Sequence, residues 1–402
     1  MSNFFAMENL EEEGKGKKLQ VALVHDFLVN FGGAEETLKT LAEIFPEAPI
    51  FTLFADREKI EKEVDWLKKR DIRESFLGKM PNFLKRRKSW LLPLMPTAPE
   101  TFDLRDFDLV ISSSSGFAKS LVVKPKTIHL CYMHSPMRYV WDWSREYLEE
   151  KKLKGKSRLL IRLFLNYLRL WDRSSAQRPD FLIANSQYTA QRIKKYYARD
   201  SQVIYPPVRI NDFSPKRQNE GYFLVVARLS AYKRIDLLVD VFQKLDLPLK
   251  IVGEGEQKDC LAKKIQQGKN KKIELLGWVS RQELIKIYQN ARAFIFAAEE
   301  DFGIALAEAL AAGKPVIALR SGGAKEIVQE NKNGIFFDFA ELELIADGIR
   351  RFVEKEKSFD SLAIRQTVEK FAEERFKKEI LDLVEKEIGK EKDRLKDGQA
   401  SE

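Results

Sequence analysis

Glu300 and Glu308 stand eight positions apart, across the string Glu299-Glu300-Asp301-Phe302-Gly303 and the small, apolar run Ile304 to Ala312. A carboxylate accepts hydrogen bonds from two neighbouring hydroxyls, so this pair suits a sugar or a ribose. Gly303 opens a predicted helix whose free N–H groups and positive dipole end favour an anion beside those carboxylates. Acidic residues in a first turn complement the helix dipole in any protein. That accounts for Glu300 and Asp301 but not for Glu308, inside the apolar run. A second group follows a predicted strand: Arg228-Leu229-Ser230-Ala231-Tyr232-Lys233. Arg offers a planar fork matched to phosphate oxygens and Lys a compact charge, so the two suit a diphosphate and its stabilisation as a leaving group. A solvated loop with ordinary surface cations is the plainer reading of this string taken alone.

The chain has three histidines, His25, His129 and His134, without metal-ligand spacing. His129 falls inside a predicted strand and is expected to be packed. His134 follows that strand and precedes Ser135-Pro136, where a polar or catalytic role fits, and His25 ends the first strand. Glycine pairs recur at Gly32 and Gly33, at Gly253 and Gly255, and at Gly322 and Gly323. Turns need glycine for backbone reasons alone. The Gly253 and Gly255 pair fails the dinucleotide fingerprint, because Lys258 occupies the third glycine position. A nicotinamide dehydrogenase is thereby disfavoured. Asp106-Phe107-Asp108 matches the Asp-x-Asp string of some metal-dependent sugar transferases, but it precedes its strand and so falls at the wrong end of a sheet. It reads as a turn.

The elements that must position these residues alternate short β-branched runs with helical periodicity, the pattern of doubly wound parallel sheets. Predicted strands are Leu19–His25, Ile50–Phe54, Phe107–Ser112, Thr127–Tyr132, Phe181–Ala184 and Val203–Tyr205, with helices over Ala34–Ile44 and Gln187–Tyr197. Pro206 and Pro207 close this block, and a polar stretch to Gly221 marks a boundary. The alternation restarts with strands Tyr222–Ala227, Leu249–Val252, Ile273–Leu275, Ala293–Ala297 and Val316–Leu319. Helices near Ile235–Lys244, Gln257–Gln266, Arg281–Gln289 and Ile304–Ala312 intervene. The expected architecture is α/β, two facing doubly wound Rossmann-like domains over 19–207 and 208–359, with ligands in the cleft at the carboxyl ends of both sheets. Residues 1–18 and 391–402 read as disordered tails.

Of 402 residues, 70 are Lys or Arg and 61 Asp or Glu, and the net charge of +9 favours anionic partners. Two distant cysteines, Cys131 and Cys260, support neither a disulfide framework nor a thiolate metal site. No run of about 18 apolar residues suggests a membrane span, and no secretory leader is read at the N-terminus. The expected location is cytoplasmic. Two basic amphipathic regions, Lys79 to Pro96 and Lys151 to Arg173, suit an anionic membrane surface. For the second, a core helix with a basic solvent face is an equal reading.

Taken together, these stretches resemble the retaining GT-B glycosyltransferases of family 4, from Leu19 to about Phe376. Glu300 through Glu308 is similar to that family's Glu-x7-Glu motif, Arg228 and Lys233 to its diphosphate-binding pair, and Gly32-Gly33-Ala34-Glu35 to its glycine loop. His134-Ser135-Pro136-Met137-Arg138-Tyr139-Val140-Trp141-Asp142 looks like the matching stretch of bacterial O-antigen mannosyltransferases. The resemblance implies that Glu308 binds the nucleotide ribose and Glu300 the donor-sugar hydroxyls, with backbone contacts from Phe302 and Gly303. It implies that His134 assists the transition state and that no divalent metal or other cofactor is required. Gly253, Gly277 and Trp278 join the expected donor site, the last two near the nucleotide base. The resemblance further implies a C-terminal helix, about 360–390, crossing back to the first domain, and closure by a hinge near Pro206 and Pro207.

The resulting expectation is transfer of a hexose, foremost mannose from GDP-mannose, to a lipid-linked saccharide at the inner face of the cytoplasmic membrane. Rival readings are a sugar-nucleotide epimerase or a soluble synthase of the same architecture using a UDP-sugar. The basic charge also admits a nucleic-acid-binding protein, but no known nucleic-acid-binding motif occurs, and no nucleic-acid partner is expected.

Overall fold

The computed structural model describes residues 18–29, 31–81, 85, 88–150 and 155–399. The chain divides into two compact units, 1–204 with 377–402, and 205–376. Residues 1–17 and 400–402, with Phe83, Leu84, Arg86, Arg87 and 151–154 of the basic segments, lie outside the described residues.

The first unit is built on a seven-stranded sheet in the order β3-β2-β1-β4-β5-β6-β7. Its strands are β1 (Val21–His25), β2 (Ile50–Thr52), β3 (Ile72–Glu74), β4 (Leu109–Ser114), β5 (Ile128–Met133), β6 (Phe181–Ala184) and β7 (Gln202–Val203). All pairings are parallel. A parallel sheet is covered on both faces, which explains why these strands are near-continuous apolar runs. Ala22, Leu23, Val24, Leu109 and Val110 are fully buried. The chain runs outward from β1 to β2 and β3, then returns to β4 on the other side of β1. The crevice at such a reversal, beyond the carboxyl ends of the strands, is where ligands bind in this architecture.

The second unit repeats the logic with six parallel strands in the order β10-β9-β8-β11-β12-β13. They are β8 (Phe223–Val226), β9 (Leu249–Val252), β10 (Ile273–Gly277), β11 (Ala293–Phe296), β12 (Val316–Leu319) and β13 (Gly334–Phe337). Its reversal lies between β8 and β11. The Ile304–Ala311 helix is apolar except for Glu308, and Leu306, Ala307, Ala309, Leu310 and Ala311 join one core with β8, β11 and β12.

Sequence periodicity places most of these elements within two residues, and β6, β9, β12 and the Gln187–Tyr197 helix coincide with it. It misses β3, a short and part-exposed edge strand of sequence Ile-Arg-Glu, and β13, which opens on a glycine packed against the Val316 carbonyl. Neither presents the β-branched alternation on which strand prediction rests. Asp106-Phe107-Asp108 is a turn as expected, with Asp108 accepting the Gln20 N–H at the amino end of β1.

Short segments after Lys355 stay with the second unit's core through Ile364, Val368 and Phe371. A final helix runs over Glu373–Gln399, and Lys377 in it pairs with Glu43 of the first unit at 2.7 Å. Its backbone is helical through most of the stretch expected to be a disordered tail; alternating Glu and Lys at helical spacing favour that state.

The Gly155–Ser175 helix departs from the reading of a core helix with a basic solvent face. Its inner face is anchored by Leu165, Leu168 and Asp172, all buried. Asp172 accepts hydrogen bonds from Trp141 Nε1 and the Tyr197 hydroxyl and pairs with Lys119 at 2.5 Å. A carboxylate so deep in the core is tolerated because Oδ2 accepts two hydrogen bonds and Oδ1 faces the Lys119 ammonium. The outer face carries Leu159, Leu160, Leu163, Tyr167 and Leu170, each more than half exposed, with exposed Arg162 and Arg173. Among the described residues, no helix is long and apolar enough to cross a membrane.

Candidate functional site

In the second unit the sequence-predicted residues gather at the carboxyl ends of β8, β10 and β11. Arg228 follows β8; it is exposed, and its side chain has no protein partner among the described residues. Lys233, five residues on, is buried and forms an ion pair with Glu300, which follows β11. The ammonium also lies over the rings of Tyr232 and Phe296, 4.6 and 5.4 Å from their centroids. A cation and a carboxylate side by side match a ligand whose anionic and hydroxyl-bearing parts adjoin.

Glycines brace these loops in ways spacing alone leaves open. Gly253 has φ +140°, and a Cβ there would stand 1.9 Å from the Ala227 carbonyl oxygen; a Cβ on Gly255 would meet the Leu229 carbonyl at 2.3 Å. Only glycine allows the β9 loop to support the Arg228 loop this closely. Gly322 and Gly323 do the same for the acidic loop: the Gly323 N–H donates to the Glu300 carbonyl at 2.9 Å, and Ser321 hydrogen-bonds Glu299. Gly303, at φ +105°, caps the Ile304–Ala311 helix, and the buried Phe302 precedes it. Gly277 and the exposed Trp278 end β10, where Glu254 Oε1 accepts the Trp278 N–H at 3.2 Å and the Lys258 ammonium at 2.7 Å.

Glu308 has a setting that the sequence did not disclose. Arg281 Nη1 donates to its Oε1 at 2.5 Å and the Tyr288 hydroxyl to its Oε2 at 3.1 Å. Arg281 also pairs with Asp212 at 3.1 Å. Burial opposes the Arg281 charge, but Glu308 and Asp212 outweigh it and hold the guanidinium above its ordinary value. Burial, then the Glu308 charge, pushes the Tyr288 hydroxyl well up, so it stays a proton donor. Each Glu308 oxygen keeps a lone pair for a further donor such as a hydroxyl. Arg281 was read only as the start of a helix; no local pattern marks it, since its partners lie 27 and 69 positions away.

The first unit gathers a different set at the carboxyl ends of β1, β4 and β5. Gly32 and Gly33 begin the Gly33–Ile44 helix, and the Gly32 N–H donates to Glu35 Oε2 at 2.8 Å. Asp26, buried beside β1, accepts the N–H groups of Ser115, Phe117 and Ala118 and so fixes the turn after β4. His134 is half-buried, its N–H on the Ser114 carbonyl and its carbonyl on Asn185. Its Nε2 lies 2.8 Å from Ser113 Oγ, which His25 Nδ1 approaches to 3.1 Å. Burial, then its electrostatic interaction with His25, lowers His134 to about 3, so the ring is neutral at pH 7. Arg192 holds the following loop through Ser135 and Asp142. His129 is buried against Ser112 at 2.8 Å, the packed histidine expected. Among the described residues no three His, Cys, Asp or Glu side chains cluster as metal ligands do.

Residues 31–212 match the family model described as Glycosyltransferase Family 4, and residues 209–392 the model described as Glycosyl transferases group 1. An uncharacterized glycosyltransferase of Methanocaldococcus jannaschii, MJ1607, is 33% identical over 141 residues, 34% of this chain and 36% of that protein. A probable sucrose-phosphate synthase of Thermosipho melanesiensis is 32% identical over 206 residues, 46% of this chain and 47% of that protein. The chain thus spans less than half the length of these two curated relatives. Among solved structures, Anabaena Alr3699/HepE in complex with UDP-glucose superposes with a TM-score of 0.66 at 18% identity, covering 91% of this chain and 99% of that one. At that identity the likeness speaks for the two-domain GT-B fold alone.

Proposed function

Because the chain belongs to the GT-B glycosyltransferases of the group 1 and family 4 type, we propose that it moves a hexose from a nucleotide-diphosphate sugar to a hydroxyl acceptor with retention of anomeric configuration. One observation carries this reading: Lys233 and Glu300 stand paired beyond β8 and β11, with Arg228 unpartnered in the same loop. In the proposed reaction the bond from the anomeric carbon to the diphosphate breaks, the acceptor oxygen bonds to that carbon on the same face, and the hydroxyl proton passes to the leaving diphosphate. Arg228 and Lys233 neutralise the charge developing on that diphosphate. Glu300 takes hydroxyls of the hexose, Glu308 those of the ribose, and Phe302 and Gly303 offer backbone contacts. His134, in the first unit, is assigned to assist the transition state. Gly253 keeps the Arg228 loop in place, and Gly277 with Trp278 borders the base. The two cations supply the leaving-group stabilisation, so turnover is assigned no divalent metal; EDTA should leave it unchanged.

The leading donor is GDP-mannose, supported by the likeness of the His134 to Asp142 segment to O-antigen mannosyltransferases. A UDP-sugar is the second reading, favoured by the UDP-glucose named for the superposed structure and by the sucrose-phosphate synthase relative. The acceptor is assigned as a lipid-linked saccharide at the cytoplasmic membrane surface. Its support is the apolar outer face of the Gly155–Ser175 helix flanked by Arg162 and Arg173, a pattern that lies in anionic interfaces.

Thermal shift with GDP and UDP tests the donor site. Nucleotide at a hundred times its dissociation constant adds about 2.7 kcal/mol of stability, and an Arg228→Ala, Lys233→Ala double variant should lose that gain. An equal shift in both proteins would overturn the assignment. Sedimentation with anionic vesicles tests the membrane face, and Leu160→Ser with Leu163→Ser should abolish it.

A further inference from the structure

Glu35, His25, Ser113 and His134 form a chain that crosses three strands of the first unit. The β1–β4 register sets His25 beside Ser113, and His134 follows Met133, the partner of Ser114. Glu35 Oε1 lies 3.6 Å from His25 Nε2. His25 Nδ1 lies 3.1 Å from Ser113 Oγ, and Ser113 Oγ 2.8 Å from His134 Nε2. His25 and Ser113 are buried. The remaining Glu35 oxygen is held by the Gly32 N–H at 2.8 Å, and Asp26, next to His25, is engaged by three backbone N–H groups.

Proton placement along this chain follows from charge. A bare imidazole nitrogen facing a carboxylate at 3.6 Å in a buried setting is repelled by it, whereas an N–H is attracted. In its neutral form His25 therefore carries its proton on Nε2 and leaves Nδ1 as acceptor. The Ser113 hydroxyl has one proton to give, and it goes to His25 Nδ1. Ser113 Oγ is then an acceptor toward His134, whose proton must sit on Nε2. His134 Nδ1 has no protein partner among the described residues and is not sealed from solvent.

We infer that Glu35, His25 and Ser113 are positioning residues that hold His134 as the Nε2–H tautomer and so present its Nδ1 as a bare hydrogen-bond acceptor. Burial keeps the ring neutral at pH 7, which this arrangement requires. The group offered outward accepts a hydrogen bond from a ligand hydroxyl; it does not donate one to a phosphate. The Tyr132 ring, edge-on with centroids 5.2 Å apart, and the Asn185 bond to the His134 carbonyl fix the plane in which that acceptor lies. The role for a donor-sugar hydroxyl rests on the proposed transferase reading; the tautomer does not.

The test separates the two. Long-range 15N–1H correlation spectra of the full, ligand-free chain report the tautomer of each of its three histidines, assigned with His25→Gln and His129→Gln variants. The expected result is Nε2–H at His134, shifting toward Nδ1–H in Ser113→Ala. An Nδ1–H ring in the wild type, or a spectrum that Ser113→Ala leaves unchanged, overturns the inference whether or not the protein transfers a sugar. Glu35→Gln, which keeps an oxygen for the Gly32 N–H, should also mix the His134 tautomers; an unmixed ring would remove Glu35 from the chain. In turnover, Glu35→Gln should lower kcat about tenfold, the worth of one hydrogen bond, with KM for the acceptor unchanged. The expected Nε2–H tautomer in an inactive wild type would sink the transferase reading and leave the chain of hydrogen bonds standing.

Discussion

The two candidate clusters occupy the same place in two similar sheets and are made of opposite materials. The second unit presents charge on loops: Arg228, Lys233, Glu300 and Glu308, braced by glycines that let one backbone lie on another. The first presents groups at strand ends, His25, the Ser113 hydroxyl and the half-buried His134, brought together by register. Ion pairs on loops recognise an anionic, hydroxyl-rich ligand by charge and are exchanged for it on binding. A hydrogen-bonded chain at strand ends instead fixes a direction. On the proposed reading, similar folds supply recognition in one unit and orientation in the other.

The sharpest break of this contrast is Lys233→Ala. If the second unit acts by charge, transfer should fall about 10²- to 10³-fold, as for loss of one transition-state donor, while the unfolding midpoint barely moves. A large loss of stability with unchanged turnover would make the pair structural. Next in size is Gly253→Val, where a Cβ has no room against Ala227 and the backbone lies at φ +140°. It should cost about 3 kcal/mol in urea unfolding and abolish the nucleotide-dependent thermal shift.

Arg281→Leu should cost about 1–3 kcal/mol, because it leaves the largely buried Glu308 carboxylate with one donor fewer, and it should weaken nucleotide affinity. Tyr288→Phe, which removes only the hydroxyl, should cost about 1 kcal/mol. An Arg281 variant with native affinity would show that Glu308 needs no orientation.

Another effect concerns pH and belongs to the first unit. Burial, then the Arg199 charge, lowers His129 to about 3, against about 6.5 unfolded. Between those values the unfolded chain binds a proton that the folded chain refuses. The stability contributed is therefore present above pH 6.5 and is lost as pH falls toward 3, by at most about 1.4 kcal/mol per unit. Urea midpoints from pH 7 to 4 should show that slope, and His129→Gln should flatten it. Charge recognition in the second unit should respond to salt instead: nucleotide affinity weakens as ionic strength rises, and Arg228→Ala should reduce that dependence.

The amino-acid sequence by itself determined the alternation of strands and helices, because a parallel strand buried on both faces needs an apolar run and a covering helix needs a 3.6-residue stripe. It also marked Arg228, Lys233, Glu300, Gly303 and Glu308, since each lies in a short segment at a strand end whose composition departs from what packing requires. It left out whatever depends on which strand lies beside which. Arg281 and Tyr288 meet Glu308, Gly253 meets Ala227, and Ser113 meets both His25 and His134 only after distant segments are placed in register. The exposed apolar face of the Gly155–Ser175 helix was hidden for a related reason. A helical pattern shows that a face is apolar, but packing against the rest of the unit decides whether that face is covered. Local chemistry is written in neighbouring residues, whereas partners across the fold are selected by the sheet.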